Sequence, residues 1–262
     1  MTSLADLGWL ADWPAPAHVR TLMTDRRGGV SAPPWDSMNL GDHVGDALAH
    51  VQSNRALLQS AVGAPLIFLK QVHGQTVAHL DAHSRSGTEA DACIATGPQA
   101  ACTIMVADCL PVLMCDTQGQ WVAAAHAGWR GLAGQAGEGV LESLRSTSPV
   151  EQTRSEDILV WLGPCIGPQA FEVGDEVRAA FCQHNAAPQA LFKPLSPGKW
   201  LADLAGLARW RLRQLGIDKI YGNDGHPDWC TVSNSVRFFS HRRDSPTLGQ
   251  SGRMAACIWL SS

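Results

Sequence analysis

No run in this sequence stays apolar for the roughly 20 residues that a membrane-spanning helix needs. The most apolar stretch, residues 103–114, is interrupted by Asp108 and Pro111. Excess basic charge is missing too. Twenty Lys and Arg against 24 Asp and Glu leave a formal net charge of -4, and only 17% of the 262 residues are charged. Such a chain has no positive field to gather nucleic acid or anionic lipid, so a small-molecule partner is favoured. The ten tryptophans are scattered and form no stripe on which bases would stack. The opening MTSLADLGWLADWPAPAH holds acidic residues and no basic segment, so no secretory signal is expected and the expected location is the cytoplasm. The eight cysteines show no CxxC spacing. In a reducing compartment they are expected to be buried apolar side chains, ligands or nucleophiles rather than disulfide partners. Repeats, low-complexity tracts, linkers and heptads are also absent, which predicts one domain over residues 1–262 and a monomer.

What is present reads as irregularly alternating strands and helices. Residues 20–46, dense in Gly, Pro, Ser, Asn and Asp, predict a long ordered loop. Residues 46–63 predict a helix, with Asp46 as N-cap, Leu48, Val51, Leu58 and Val62 near helical spacing, and Gly63 as the stop. PLIFLKQVHGQTVAHL predicts a strand pair bending near residues 70–74. ADACIATG, ACTIMVADCLPVLMCD and QWVAAAHAG are the short apolar runs of strands covered on both faces. Residues 129–145 predict a helix whose Gly131, Gly134 and Gly137 let a neighbour pack closely. DILVWLGPCIG predicts a strand ending in a turn, and GDEVRAAFCQHN a helix capped by Asp175. Residues 201–215 predict a helix with Leu204, Leu207, Ala208, Leu212 and Leu215 facing inward. SVRFFSHRRD and RMAACIWL predict two closing strands. This order favours an α+β fold, with mixed β-sheets in a sandwich flanked by helices, over a strict βαβ winding.

His73, Cys109 and His126 each sit where a strand meets a turn or a helix start. Two imidazoles and a thiolate suit zinc and leave a fourth position open, where an ion lowers the pKa of water or polarises an oxygen. Their long separations, with no HxxxH or CxxC joining them, leave open a core thiol beside two hydrogen-bonded histidines. Asp108 lies inside an apolar run and demands a partner or a backbone to cap. Strand alternation places it opposite Cys109 unless the strand ends or bulges there, and Pro111 is compatible with an ending. The same residues also suit a thiol hydrolase, with Cys109 as nucleophile and His126 or His73 as base. In FFSHRRD, Arg243 is either an anion clamp or the partner of Asp244 at a solvated edge. Arg130 follows HAGW in the first turn of a predicted helix, where anions are attracted. GPCIG reads as a strand terminator, and His18, His50, His79, His83, His184 and His226 as surface histidines.

Nine stretches occur in order: RRGGVS with MNLGDHVGD, VQSNR, KQVHG, ADCLPVLM, AAAHAGWRG, GPCIG, CTVSN, FFSHRRD and GRMAACIWL. Over nearly the whole chain they resemble the laccase-domain family of bacterial polyphenol oxidase-like proteins, also called purine nucleoside phosphorylase-like proteins or peptidoglycan editing factor. The resemblance implies a mononuclear zinc held by His73, Cys109 and His126, and a fold similar to cysteine hydrolases of the cytotoxic necrotising factor type. It also implies one of three activities. The first is phosphorolysis of adenosine, inosine, guanosine and methylthioadenosine to base and ribose 1-phosphate, with adenosine deamination alongside. The second is removal of L-Ser from UDP-N-acetylmuramoyl-L-serine. The third is copper-dependent phenol oxidation, although one His2Cys site lacks the further coppers that oxygen reduction needs; copper can still bind it in vitro. Under the first, Asp108 acts as acid or base beside Cys109, Arg55, Arg130 and Arg243 are candidate clamps for phosphate or ribose, and Asn39 and Gln71 are candidate hydrogen-bonding groups. A zinc-stabilised binding protein without catalysis is the remaining alternative. The chain departs from the family pattern at His241, where Tyr usually precedes the arginine pair, at Trp35, where Tyr is common, and at Asp25, where Thr is frequent.

Overall fold

In the computed structural model, which describes residues 3–183 and 185–261, the apolar runs form two stacked β-sheets. His184, expected at the surface, lies outside the described residues. A one-turn helix α1 (Leu4–Leu7) and strands β1 (Gly8–Trp9) and β2 (Val19–Thr24) are followed, after the long loop, by α2 (Leu48–Val62). Strands β3 (Leu66–Phe68), β4 (Val77–Leu80), β5 (Ala92–Ala95), β6 (Ala101–Val106), β7 (Leu110–Asp116) and β8 (Val122–Ala127) lead to α3 (Trp129–Ala133) and α4 (Val140–Arg145). Next come β9 (Ile158–Leu162), β10 (Glu172–Gly174), α5 (Asp175–Cys182), the hairpin β11 (Phe192–Ser196) and β12 (Lys199–Ala202), and α6 (Leu204–Gln214). Strand β13 (Ile220–Gly222), helix α7 (His241–Leu248) and strand β14 (Met254–Leu260) follow.

The five-stranded sheet has the order β1-β2-β14-β6-β3 and the six-stranded sheet β13-β9-β7-β8-β5-β4; β10, β12 and β11 make a small third sheet. Both large sheets are mixed: β3 runs parallel to β6, β4 to β5 and β13 to β9, among antiparallel neighbours. Their inner faces meet in one core, where Met23, Ile104 and Ile258 of the first sheet pack with Leu113, Val122, Leu159 and Trp161 of the second. Helices α4 and α6 cover the outer face of the six-stranded sheet through Leu141, Leu144, Leu207 and Leu212. Helix α2 covers the five-stranded one through Leu58 and Val62. The expected α+β sandwich of mixed sheets flanked by helices is therefore the architecture. Strands buried on both faces read as unbroken apolar runs for this reason. Among the described residues, no helix is long and apolar enough to cross a membrane.

Several elements differ from the sequence expectation. ACTIMVADCLPVLMCD is two strands in different sheets: β6 pairs with β14 and β3, β7 with β8 and β9. The chain crosses between sheets at residues 107–109, with Asp108 at φ 87°. That crossing ends the first strand and removes the alternation conflict between Asp108 and Cys109. Residues 65–80 are not a strand pair, because β3 and β4 also belong to different sheets. Their connection is a second crossing, with His73 at φ 61°. The helix expected over residues 129–145 is two, separated by left-handed backbone at Gly134, Ala136 and Gly137. SVRFFSHRRD is no strand. Phe238 and Phe239 are fully buried core anchors, and α7 starts at His241 with the Ser240 side chain accepting from the Arg243 amide at 3.1 Å. Asp46 and Asp175 do not cap helices. Ala47 and Gly174 occupy those positions, and the Asp46 carboxylate instead accepts from Ser31 and Asn39.

Candidate metal centre

The two crossings bring the donor residues together at one end of the sandwich. His73 lies on the β3–β4 crossing, Cys109 on the β6–β7 crossing, and His126 on β8, opposite Pro111 of β7. Their donor atoms all lie within 4.8 Å of one another, and among the described residues they form the one such group of three or more His, Cys, Asp or Glu. Cys109 Sγ is 3.6 Å from His73 Nε2, and the two imidazole rings meet edge to face with centroids 4.7 Å apart. For bonds of 2.0–2.3 Å, two tetrahedral ligands of one ion stand about 3.5 Å apart, so this spacing fits a shared metal. Left-handed backbone at both His73 and Asp108 is uncommon outside glycine, and such conformations cluster at functional sites.

One buried carboxylate organises two of the three donors. Asp91, 0% exposed, accepts from the backbone N–H groups of Val72 at 3.1 Å, His73 at 2.9 Å and Gly74 at 2.6 Å, and from Nδ1 of His126 at 2.9 Å. With Nδ1 donating to the carboxylate, Nε2 of His126 presents its lone pair to the centre, the usual outer arrangement of a metal-bound imidazole. Burial pushes the Asp91 carboxyl up, but the His126 and backbone hydrogen bonds outweigh it and hold it below its ordinary value. Burial likewise opposes charge on Cys109 and His126, yet each stabilises the other's charged form. The thiol is lowered to about 6 by the His126 charge and the hydrogen bonds of both imidazoles. The imidazole is raised to about 9 by the Cys109 charge and Asp91. Without metal the pair is thiolate and imidazolium at neutral pH, a reactive arrangement for a nucleophile.

Two glycines make room for this packing. A Cβ on Gly128 would stand 2.8 Å from both Cys109 Sγ and His73 Cδ2, and one on Gly131 would stand 2.9 Å from the Gly74 carbonyl oxygen. Gly131 thus permits the close approach expected of it, whereas Gly134 and Gly137 break the helix.

The donors open onto a cavity of about 370 Å³. Trp129, Ile166, Phe171 and Leu204 supply apolar lining, interleaved with Arg130, Arg242, Arg253, His43 and His241: Arg130 lies over the Trp129 ring and Arg242 over that of Phe171. Asp108 is the carboxylate of this lining. Its oxygens accept from Thr231 Oγ1 at 2.5 Å and from the Arg242 amide at 2.6 Å. Of the other residues expected at the site, Arg130 and Gln71 line the cavity. The Gln71 amide pairs in both directions with the Met105 backbone at 2.8 Å. Arg55 lines an adjoining depression that shares His43, Gln71 and Met105 with the cavity, and it is bound to Asp42 at 3.1 Å. Asn39 is fully buried and accepts from the Arg253 amide at 2.9 Å, so it lies behind the wall. Arg243 is not in the cavity lining: its guanidinium bonds Asp244 and the carbonyls of Thr231, Val232 and Phe238. Successive residues of a helix point about 100° apart, which is why Arg242 faces the cavity instead. Asp91, Arg242, Arg253 and His43 were not singled out by sequence. The available signal was a carboxylate at the edge of ADACIATG for Asp91 and an arginine opening the last strand for Arg253.

A two-sheet α+β sandwich with one His2Cys donor set at its end defines a laccase-domain protein. The chain belongs to the family described as multi-copper polyphenol oxidoreductase laccase, whose model matches residues 20–261. It is 47% identical over 254 residues to a protein of Pseudomonas aeruginosa named a purine nucleoside phosphorylase, covering 96% of this chain and 98% of that one. It is also 47% identical over 251 residues to purine nucleoside phosphorylase YfiH of Escherichia coli, covering 95% and 96%. The crystal structure of a Neisseria meningitidis protein has a TM-score of 0.87 at 43% identity, covering 97% of this chain and 99% of that one.

Proposed function

We propose that this protein is a zinc-dependent purine nucleoside phosphorylase of the cytoplasm, one domain acting as a monomer on adenosine, inosine, guanosine and methylthioadenosine, with adenosine deamination alongside. The observation that carries this reading is a His2Cys donor set opening onto a cavity lined by both aromatic and apolar side chains and by arginines. The names of its relatives support the phosphorylase part of this reading. The cavity, about 370 Å³, falls within the roughly 300–1,000 Å³ of small-molecule sites.

In phosphorolysis an oxygen of HPO4²⁻ bonds to C1′ of the ribose as the bond from C1′ to the purine nitrogen breaks. The bonding pair leaves with the purine, and the phosphate's proton ends on the base. A zinc ion held by His73, Cys109 and His126 would supply Lewis-acid polarisation of an oxygen or a water of lowered pKa. Apolar lining residues, Trp129, Ile166, Phe171 and Leu204, bind the purine faces. Asp108, held by Thr231 and the Arg242 amide, receives the proton and returns it to the departing base. Gln71, locked to Met105, positions the ribose hydroxyls, and the arginines hold the anion. Arg55, bound to Asp42, lines the adjoining depression and not the cavity, so it does not hold the anion directly.

The test follows hypoxanthine release from inosine and phosphate by protein purified without added metal, with zinc and copper counted per chain. Phosphate-dependent release that disappears together with the metal in Cys109→Ala supports the proposal. Phosphate-independent turnover, or full activity in a metal-free preparation, overturns it. Counting both metals shows whether zinc holds the site or has been displaced by copper, which outcompetes it at nitrogen and sulfur donors.

A second reading is favoured by one observation: the donor atoms of Cys109 and His126 lie within 4.8 Å of each other and His126 Nδ1 bonds Asp91, an order that suits nucleophile, base and orienting carboxylate. That order suits an amidase removing L-Ser from UDP-N-acetylmuramoyl-L-serine. Serine release by metal-free protein, lost in Cys109→Ala, distinguishes it.

A further inference from the structure

The cavity lining holds three arginines and one carboxylate, Asp108. Arg130 comes from α3, Arg242 from the first turn of α7 and Arg253 from the residue before β14, so three separate segments each place an arginine in the cavity lining. Several arginines elsewhere meet carboxylates, as Arg27 with Asp25, Arg55 with Asp42, Arg211 with Glu142 and Arg243 with Asp244, while others such as Arg145 and Arg209 bond only backbone carbonyls. Among the described residues, none of the three cavity arginines meets a carboxylate. Arg253 donates to the carbonyls of Ser251 and Gly252 at 2.8 and 3.1 Å, and Arg242 to that of Glu172 at 3.0 Å. Arg130 stacks over Trp129 with its guanidinium carbon 4.4 Å from the ring centroid. The cavity's carboxylate, Asp108, is turned to Thr231 and the Arg242 amide. Arg130 and Arg242 are exposed to the cavity mouth and solvent, whereas Arg253 is half-buried, where a charge with no carboxylate bound to it is costly unless an anion meets it.

We infer that Arg130, Arg242 and Arg253 form a seat for a dianionic phosphoryl group beside the metal centre. Arginines from three separate segments lining one cavity suit a tetrahedral oxyanion, which arginine recognises through planar, paired hydrogen bonds. Asn39 braces the seat from behind by accepting the Arg253 amide, and thereby fixes where that side chain leaves the backbone. The seat is argued from the arginines alone; identifying its occupant as the phosphate co-substrate rests on the phosphorolysis reading above.

The test is titration calorimetry of the metal-loaded protein with inorganic phosphate and, separately, with inosine 5′-monophosphate, for wild type, Arg130→Gln, Arg253→Gln and Arg253→Lys. Arg20→Gln, on the exposed side of β2, is the control. Metal content and circular dichroism confirm that each variant is folded and loaded. The expected result is binding weakened by about 10- to 100-fold in each glutamine variant, with Arg253→Lys in between and Arg20→Gln unchanged. In phosphorolysis assays the KM for phosphate rises by a similar factor while that for inosine stays near wild type. Arginine-dependent phosphate binding without hypoxanthine release keeps the seat and overturns phosphorolysis. Binding of the nucleotide but not of free phosphate does the same, and assigns the seat to a phosphoryl group of the substrate. Phosphate and nucleotide binding that is absent, or indifferent to all three substitutions, overturns the seat.

Discussion

Asp91 accepts a hydrogen bond from Nδ1 of His126 at 2.9 Å while the same carboxylate holds the backbone of His73 at 2.9 Å. A single buried side chain therefore sets both the ring orientation of one donor and the loop position of another. Removing its charge should disturb the metal without removing a ligand.

Asp91→Asn is expected to weaken metal affinity by about 10- to 100-fold, the usual effect of losing an outer carboxylate. Competition with a chromophoric chelator reads it, and unchanged affinity would deny Asp91 this role. The metal-free protein adds a pH signature. Because the folded-state value of Asp91 is depressed, its contribution to stability is present above the unfolded value and is lost as pH falls through the folded one. The stability deficit of the variant should therefore shrink as the pH drops below the ordinary aspartate value of about 3.9.

Metal-free wild type should expose a thiolate at unusually low pH. With its thiol lowered to about 6, Cys109 is expected to react with iodoacetamide along a profile that rises near pH 6. An ordinary cysteine titrates near 8.5, roughly 300-fold lower in proton concentration. Metal should protect it, and mass spectrometry locates the adduct. A profile rising only above pH 8 would mean that His126 does not stabilise the thiolate.

Gly128→Ala should lower metal occupancy without unfolding the protein. The added carbon meets Cys109 Sγ and His73 Cδ2 at 2.8 Å, so both donors must shift. Elemental analysis after dialysis is the measurement, and full occupancy would show that the loop yields freely.

Asp108→Asn keeps the shape of the side chain and suits left-handed backbone, which asparagine tolerates. If Asp108 carries the proton, kcat falls by about 10²- to 10⁴-fold while metal content stays constant. Near-normal kcat would leave Asp108 with only the task of tying the 107–109 crossing to Thr231 and α7.

Much of this was legible in the chain. Continuous apolar runs such as VWL and AACIWL announced strands covered on both faces, and KQVHG, ADCLP and HAGWRG presented the three donors at strand ends. Other features were not legible, because they depend on which segments become neighbours. The run around Asp108 read as one strand, since local apolar periodicity is blind to a crossing between sheets. Arg243 and Arg242 could not be told apart until α7 replaced the expected strand and turned one toward Asp244 and the other toward the cavity. Asp91 looked like the polar edge of a strand until both donor loops closed over it.

By itself, then, the sequence determined the chemistry available: two imidazoles and a thiol as donors, a carboxylate inside an apolar run, and enough buried apolar length for a two-sheet sandwich. The tertiary structure alone decided how these meet. His73 and Cys109 are 36 residues apart, and Asp108 and Thr231 are 123 apart. Their contacts exist because two chain crossings and the start of α7 fall at the same end of the sandwich. Hydrophobic periodicity specifies which face of a strand is buried, but it does not say which distant segment will lie against it.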